Sequence, residues 1–283
     1  MNSYNPYKLP DGNVLISFSG GRTSGYMLYK ILEANNGLPE RCKVVFANTG
    51  REMPETLEFI QRCSDEWNVE IIWLEYDRPD NKVAYKQVNF QNASRFGEPF
   101  TQLINHKKGL PNVLVRFCTQ ELKIRTINRY LKKQGWKNWH SAIGIRADEL
   151  RRIKSDSPKD RFIKWYPLFD AKVTKHTIAS FWEKHTFDLN LFAHNGQAAK
   201  GNCDGCFLKS EATLAMMWRE HPDRMQWWAD IEDSQPIRNN KKQVFNPART
   251  FSALGDFVER QGDWIFNDKA MLCQADDGEC TGI

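Results

Sequence analysis

The stretch Val14-Leu15-Ile16-Ser17-Phe18-Ser19-Gly20-Gly21-Arg22-Thr23-Ser24 decides how the rest of this chain is read. Its first five residues form a short apolar, β-prone run, the glycine pair supplies a tight turn, and apolar residues recur at helical spacing from Gly25 through Ala34. Strand, glycine turn and helix in that order place Ser19 to Ser24 beyond the carboxyl end of a strand. There the next helix N-terminus offers unpaired N–H groups to an anion. Gly20 and Gly21 allow close backbone approach, Ser19, Thr23 and Ser24 add hydroxyls, and Arg22 adds positive charge. A strand-to-helix turn without a ligand shares this pattern, so the neighbouring segments must arbitrate.

Outward from the loop, Asn35-Asn36-Gly37-Leu38-Pro39 stops the helix and Lys43-Val44-Val45-Phe46-Ala47 reads as a second buried strand. Pro54 suits the first turn of a helix reaching about Trp67, and Glu70-Ile71-Ile72-Trp73-Leu74 reads as a third strand. This alternation predicts an α/β fold, a doubly wound parallel sheet covered on both faces. Residues 77–112 are polar and rich in Asn, Gly and Pro, which predicts a long loop or lid. Glu121 to Gln134 predicts an amphipathic helix with Leu122, Ile124, Ile127, Tyr130 and Leu131 in one stripe. Ser141 to Ile145 reads as another short strand, 151–164 as a mobile charged stretch, and helices are expected near 174–185, 210–232 and 249–260. The expected division is a nucleotide-binding domain over 1–170 and a smaller, mainly helical, cysteine-containing unit over 171–283.

The chain has 283 residues and a net charge of +5, unevenly spread. Residues 116–164 hold fourteen Lys/Arg against five Asp/Glu, a local +9 that suits a polyanion, DNA or another nucleic acid included; a solvated basic helix face gives the same count. No apolar run approaches the length of a bilayer span and the first residues lack a signal-peptide pattern, so no membrane partner and a cytoplasmic location are expected. Seven cysteines, an odd number without an export signal, point away from a disulfide framework.

Four segments together arbitrate the loop. Ser19 to Ser24 resembles the PP-loop of the adenine nucleotide α-hydrolase superfamily, the ATP pyrophosphatases. Phe46-Ala47-Asn48-Thr49-Gly50-Arg51-Glu52-Met53-Pro54, Phe117-Cys118-Thr119-Gln120-Glu121-Leu122-Lys123 and Gly144-Ile145-Arg146-Ala147-Asp148-Glu149 resemble later motifs of its phosphoadenosine phosphosulfate reductase-like branch. The resemblance covers about residues 13–150. It implies an adenine nucleotide on Ser19, Gly20, Gly21, Arg22, Thr23, Ser24, Ala47, Asn48 and Gly144, with Arg22, Lys123 and Arg146 as catalytic cations. It also implies ATP and Mg²⁺, because members either split ATP between its α- and β-phosphates or reduce a sulfonucleotide with a thiolate. Thr23 stands where the superfamily loop usually has Asp, which puts metal positioning at that residue in doubt.

Asn202-Cys203-Asp204-Gly205-Cys206 aims two sulfurs at one metal or cluster, or forms a dithiol redox pair. Cys118 sits in a motif that carries a cysteine pair in the cluster-bearing reductases. Four of Cys118, Cys203, Cys206, Cys273 and Cys280 would complete a [4Fe–4S] set or bind Zn²⁺, and unligated thiols remain an alternative. Gly278-Glu279-Cys280-Thr281-Gly282-Ile283 faintly resembles the tail whose cysteine attacks sulfur in the reductases. Cys42 and Cys63 read as small core residues, and Trp218, Trp227 and Trp228 as core. The leading expectation is an ATP pyrophosphatase that adenylates an acceptor for sulfur incorporation, resembling enzymes of DNA phosphorothioation, with a cysteine desulfurase partner. The alternatives are a phosphoadenosine phosphosulfate reductase using Cys280 with a thiol donor protein, and a non-catalytic nucleotide-binding subunit.

Overall fold

Apolar side chains alternating along adjacent strands build one six-stranded sheet with a core on each face. The protein is represented by a computed structural model, which describes residues 4–157, 160–191, 193–194, 197–198, 201–237 and 242–261. The strands are β1 (Val14–Ser17), β2 (Cys42–Asn48), β3 (Ile71–Asp77), β4 (Ala84–Val88), β5 (Trp139–Ala142) and β6 (Phe162–Trp165), in the order β4-β3-β2-β1-β5-β6. Every neighbouring pair is parallel except β3 and β4. The chain first builds outward from β1 through β2 and β3, then returns to place β5 on its other side. The carboxyl ends of β1 and β5 therefore flank a topological switch point, where open α/β sheets hold ligands.

Val14, Ile16, Val44 and Phe46 point into the larger core, and Leu15, Val45, Ile72 and Leu74 into the smaller one. Helices α1 (Arg22–Asn35) and α2 (Pro54–Glu66) cover the first face with Met27, Leu28, Ile31, Leu57 and Ile60. Asn36 ends α1 in the left-handed conformation and Pro54 opens α2, as the sequence predicts. Cys42 and Cys63 are buried.

Residues 77–112 are not one long loop. They contain the antiparallel edge strand β4 and helix α3 (Glu98–Lys107). The polar edge strand lacks a continuous apolar signal, while Phe100, Leu103 and Ile104 bury a helical face too short to stand out among flanking Asn, Gly and Pro. Residues 151–164 also hold order, because β6 begins at Phe162 and pairs with β5. The strand expected over Ser141 to Ile145 lies earlier, at Trp139–Ala142.

The expected helix over 121–134 is a π-helical turn, Thr119–Arg125, followed by α4 (Thr126–Lys133). Thr126 donates its hydroxyl to the Glu121 carbonyl across 2.8 Å. The supposed single stripe is divided accordingly: Leu122 belongs to the larger core, whereas Tyr130 and Leu131 join the smaller one. A π-turn carries more residues per turn than an α-helix, so one periodicity does not fit the whole segment.

Helices α5 (Pro167–Asp170), α6 (Lys175–Trp182), α7 (Glu211–Glu220), α8 (Pro222–Asp233) and α9 (Phe251–Gln261) follow, with Ala193–His194 pairing antiparallel to Gln197–Ala198. Thr174 and Ser210 cap α6 and α7 by accepting from the N–H groups of Thr177 and Thr213. Trp182, Phe207, Met217, Trp228 and Phe245 continue the larger core from the sheet. Of the three tryptophans expected in the core, Trp228 is buried and Trp218 and Trp227 pack partly buried against it. Glu232 is fully buried and accepts from the N–H groups of Phe245 (2.9 Å) and Phe251 (2.7 Å), and burial pushes its carboxyl above its ordinary value. No helix among the described residues is long and apolar enough to cross a membrane.

Candidate nucleotide and thiol site

The glycine loop folds as its residue types require. Gly20 adopts φ +81, and a Cβ there would lie 2.7 Å from Thr56 Cγ2 and 2.9 Å from Ile60 Cδ1, so α2 presses against the turn. Gly21 is the N-cap of α1 and supplies no capping side chain, so the positive end of the helix lies at the loop. The Ser24 hydroxyl accepts from the Ser19 N–H (3.2 Å) and hydroxyl (3.0 Å) and donates to the Gly21 carbonyl (2.9 Å), pinning the loop closed. Arg22 is bound to Asp188 through Nε (2.7 Å) and Nη2, and its carbonyl accepts from Trp182 Nε1 at 2.9 Å. Its charge is thus offset by a residue from beyond α6. Arg146, from the loop after β5, is buried, pairs with Asp148 at 3.0 Å and reaches Thr23 Oγ1 at 3.4 Å.

A cleft opens beside this loop over the ends of β1, β2 and β5. Ser17, Ser19, Ala47, Ser141 and Ile143 line it from the sheet, and Lys123, Ile124, Ile127 and Asn128 line it from the π-turn and α4. Gly144 sits in a tight turn closed by the Ile145 N–H on the Ile143 carbonyl (2.8 Å). Asn48 has a different place. It is fully buried, donates to Glu75 (2.6 Å) and the Ser94 carbonyl (2.9 Å) and accepts from the Gly50 N–H (3.1 Å), so its side chain braces the β2 loop.

A second cavity adjoins the first. Cys118, Cys203 and Cys206 line it together with Thr49, Arg116, Lys123 and Trp228. Lys123 lines both cavities. The Cys203 sulfur lies 3.2 Å from Thr49 Oγ1, and burial pushes its thiol far above the ordinary value; Glu52 adds to that rise and Lys123 opposes it. Among the described residues no three His, Cys, Asp or Glu side chains stand close enough to grip one metal ion. Cys118, Cys203 and Cys206 therefore do not form a metal-holding group by themselves, and Cys273 and Cys280 lie outside the described residues.

The residue between the cysteines anchors the cavity. Asp204 is fully buried and accepts from Arg51 Nη2 (2.6 Å), Arg224 Nε (2.6 Å) and Trp228 Nε1 (2.7 Å), while its N–H donates to the Arg51 carbonyl (2.8 Å). Glu52 and Cys203 form an antiparallel bridge, and Arg224 donates to the Glu52 carbonyl at 2.8 Å. Burial holds Arg51 below its ordinary value despite the pull of Asp204. A Cβ on Gly205 would lie 2.4 Å from the Trp228 ring. The cysteine turn is therefore bolted to the loop after β2, more than 150 residues earlier in the chain.

Residues 13–260 match the model of the phosphoadenosine phosphosulfate reductase domain. The chain belongs to that family. Membership carries a nucleotide-using function connected with sulfur chemistry and agrees with the PP-loop reading of Ser19 to Ser24. Over 280 residues the chain is 27% identical to the uncharacterised nin region protein ORF290 of Escherichia phage lambda, covering 94% of this chain and 92% of the relative. Among solved structures, phosphoadenylyl-sulfate reductase from Candida auris in its phosphate complex aligns with a TM-score of 0.43 and 15% identity, over 63% of this chain and 75% of the other. The U34-tRNA thiolase NcsA from Methanococcus maripaludis, with its [4Fe-4S] cluster, aligns with a TM-score of 0.39 and 15% identity, over 98% and 80%.

Within this family chain the structure brings Ser19, Ala47 and Lys123 to one cleft beside Gly20, Gly21, Arg22, Thr23 and Ser24, with Gly144 and Arg146 on the loop after β5. Cys118, Cys203 and Cys206 line the adjoining cavity. Sequence reading missed Asp188 on Arg22, Glu75 on Asn48, and the Asp204, Arg51, Arg224 and Trp228 group. An aspartate between two cysteines was the one local signal for the last of these.

Proposed function

We propose that this chain binds ATP in the cleft, adenylates an oxygen of an acceptor and releases pyrophosphate, so that sulfur replaces that oxygen. The observation that carries this reading is Lys123, which lines both the nucleotide cleft and the three-cysteine cavity. A cation at that junction stands where an activated phosphate and a sulfur group would have to meet. The acceptor oxygen attacks the α-phosphorus and pyrophosphate leaves; a sulfur nucleophile then displaces AMP, which departs with the acceptor's oxygen. The N-terminus of α1 and the Ser19 and Thr23 hydroxyls hold phosphate, and Arg146 braces Thr23.

Mg²⁺ would supply charge to the leaving pyrophosphate. The loop carries hydroxyls but no carboxylate, and Asp148 and Asp188 are engaged by Arg146 and Arg22, so a metal here would be held chiefly by phosphate oxygens. The basic segment 116–164 favours a nucleic-acid acceptor, the DNA backbone included, with a cysteine desulfurase as sulfur donor. The test is incubation of the full chain with ATP, Mg²⁺, inorganic sulfide as the sulfur nucleophile and duplex DNA or transfer RNA, reading pyrophosphate and AMP. Stoichiometric pyrophosphate and AMP are expected. Sulfite release from phosphoadenosine phosphosulfate, with no pyrophosphate from ATP, would replace this reading with the reductase one.

A further inference from the structure

Three aliphatic side chains in a row stand in solvent between α3 and the π-turn. Val113, Leu114 and Val115 are 37%, 88% and 57% exposed. Asn112 fixes their presentation: its side-chain oxygen accepts from the N–H groups of Leu114 and Val115, each at 2.9 Å, while its own N–H donates to the Val115 carbonyl at 3.1 Å. Leu110 and Pro111, just before it, are buried and root the turn in the protein. Single exposed apolar residues are ordinary, but a consecutive run locked outward is a liability that a surface keeps only for a use.

Positive charge frames this tip. From His106 to Gln120 the chain holds Lys107, Lys108 and Arg116 and no Asp or Glu. Glu121 engages Lys107 at 2.7 Å, and among the described residues no carboxylate pairs with Lys108 or Arg116. Arg116, next to Val115, also lines the cavity of Cys118, Cys203 and Cys206. An aliphatic tip between cations complements a polyanion with an apolar interior, which is what stacked bases between phosphates offer. A protein partner fits less well, since lysine is depleted at protein interfaces and Leu and Val are under-represented among the residues that carry their binding energy.

We propose that Val113 to Val115 form a wedge that enters between stacked bases of a nucleic-acid duplex, while Lys108 and Arg116 hold the flanking phosphates. Leu114 is its leading edge. Unstacking one step kinks the duplex and loosens the neighbouring nucleotide from its stack. Because Arg116 borders both the tip and the thiol cavity, that nucleotide is delivered beside the cysteines and Lys123. This inference rests on the nucleic-acid acceptor proposed above and adds where the acceptor is opened.

The experiment uses the full chain and two end-labelled probes, a DNA duplex and an RNA hairpin, each with 2-aminopurine at a mismatch in its paired stem. That base brightens when it loses its stacking neighbours. Binding is followed by anisotropy across a salt series and unstacking by the 2-aminopurine signal. The parent should bind and brighten at least one probe, and the probe that brightens tells DNA from RNA. Leu114→Ser should abolish the brightening and weaken binding by about tenfold, the share of one buried leucine, with the salt slope unchanged. Its melting temperature and ATP affinity should equal the parent's, because the side chain it alters is exposed. Arg116→Gln should lower the salt slope by about one. Binding without brightening, or a Leu114→Ser variant that brightens as the parent does, would overturn the wedge and leave the nucleic-acid acceptor standing. A parent that binds neither probe would overturn both. A dimer that Leu114→Ser splits, with probe binding unmoved, would replace the wedge with an interface between two copies of this chain.

Discussion

The glycine loop and the cysteine turn both present ligand-ready groups, but they are built in opposite ways. The loop from Ser19 to Ser24 joins two consecutive elements, and its geometry comes from backbone conformation and one serine that bonds within six residues. The Cys203 to Cys206 turn is held by contacts to Arg51, Arg224 and Trp228, with a buried charge at their centre. One site is therefore set mainly by local backbone geometry; the other is assembled from distant segments and hangs on Asp204.

The largest test of that contrast is Asp204→Ala. It leaves two guanidinium groups buried without their carboxylate, and a loss of about 3–5 kcal/mol of stability is expected in denaturant melts. Cys203 and Cys206 should then react faster with maleimide, while any nucleotide affinity left in the folded fraction stays unchanged. Next comes Lys123→Met, at the seam between the two regions. It should weaken ATP binding by about 1.5–3 kcal/mol in calorimetry and slow alkylation of Cys203, whose thiolate Lys123 favours. An effect on only one of the two would show that the cavities do not share this cation.

Gly20→Ala follows. Placing an L residue at φ +81 costs about 1–2 kcal/mol before the collisions with Thr56 and Ile60 are counted. Nucleotide affinity should fall well beyond the change in stability; a variant that melts early yet binds ATP normally would reverse the contrast. Smallest is Ser210→Ala, which removes the cap of α7 just after the cysteine turn. About 1 kcal/mol of stability should be lost, with thiol reactivity unmoved, because the turn is fixed by Asp204 and not by the helix that follows it.

What the sequence made legible follows the same division. The order of β1, α1, β2, α2 and β3 could be read because each carries its own periodicity, and the loop could be read because glycine and serine types state their backbone demands locally. The thiol cavity was legible only as a set of cysteines, since nothing in Asp204, Arg51 and Arg224 as separate letters says that they meet. Asn48 shows the converse. Its motif position suggested nucleotide contact, whereas the buried Glu75, 27 residues away, claims its amide. The polar edge strand β4 and helix α3 were hidden because their apolar signals are brief. Helix α4 was half legible, its stripe divided by a π-turn that a single period of 3.6 does not describe.

That π-turn sets an angle. Each residue of an ordinary helix advances the side-chain direction by about 100°, so a turn carrying an additional residue leaves everything on one side of it rotated against everything on the other. Lys123 lies inside the wide turn and faces the seam, while Tyr130 and Leu131 beyond it face the sheet. Deleting Gln120 would let the segment relax to an ordinary helix with its backbone hydrogen bonds intact. It would also swing the ammonium away from the junction. The wide turn thus works as a mechanical offset, and a one-letter deletion that barely disturbs helicity is expected to uncouple the two halves of the site.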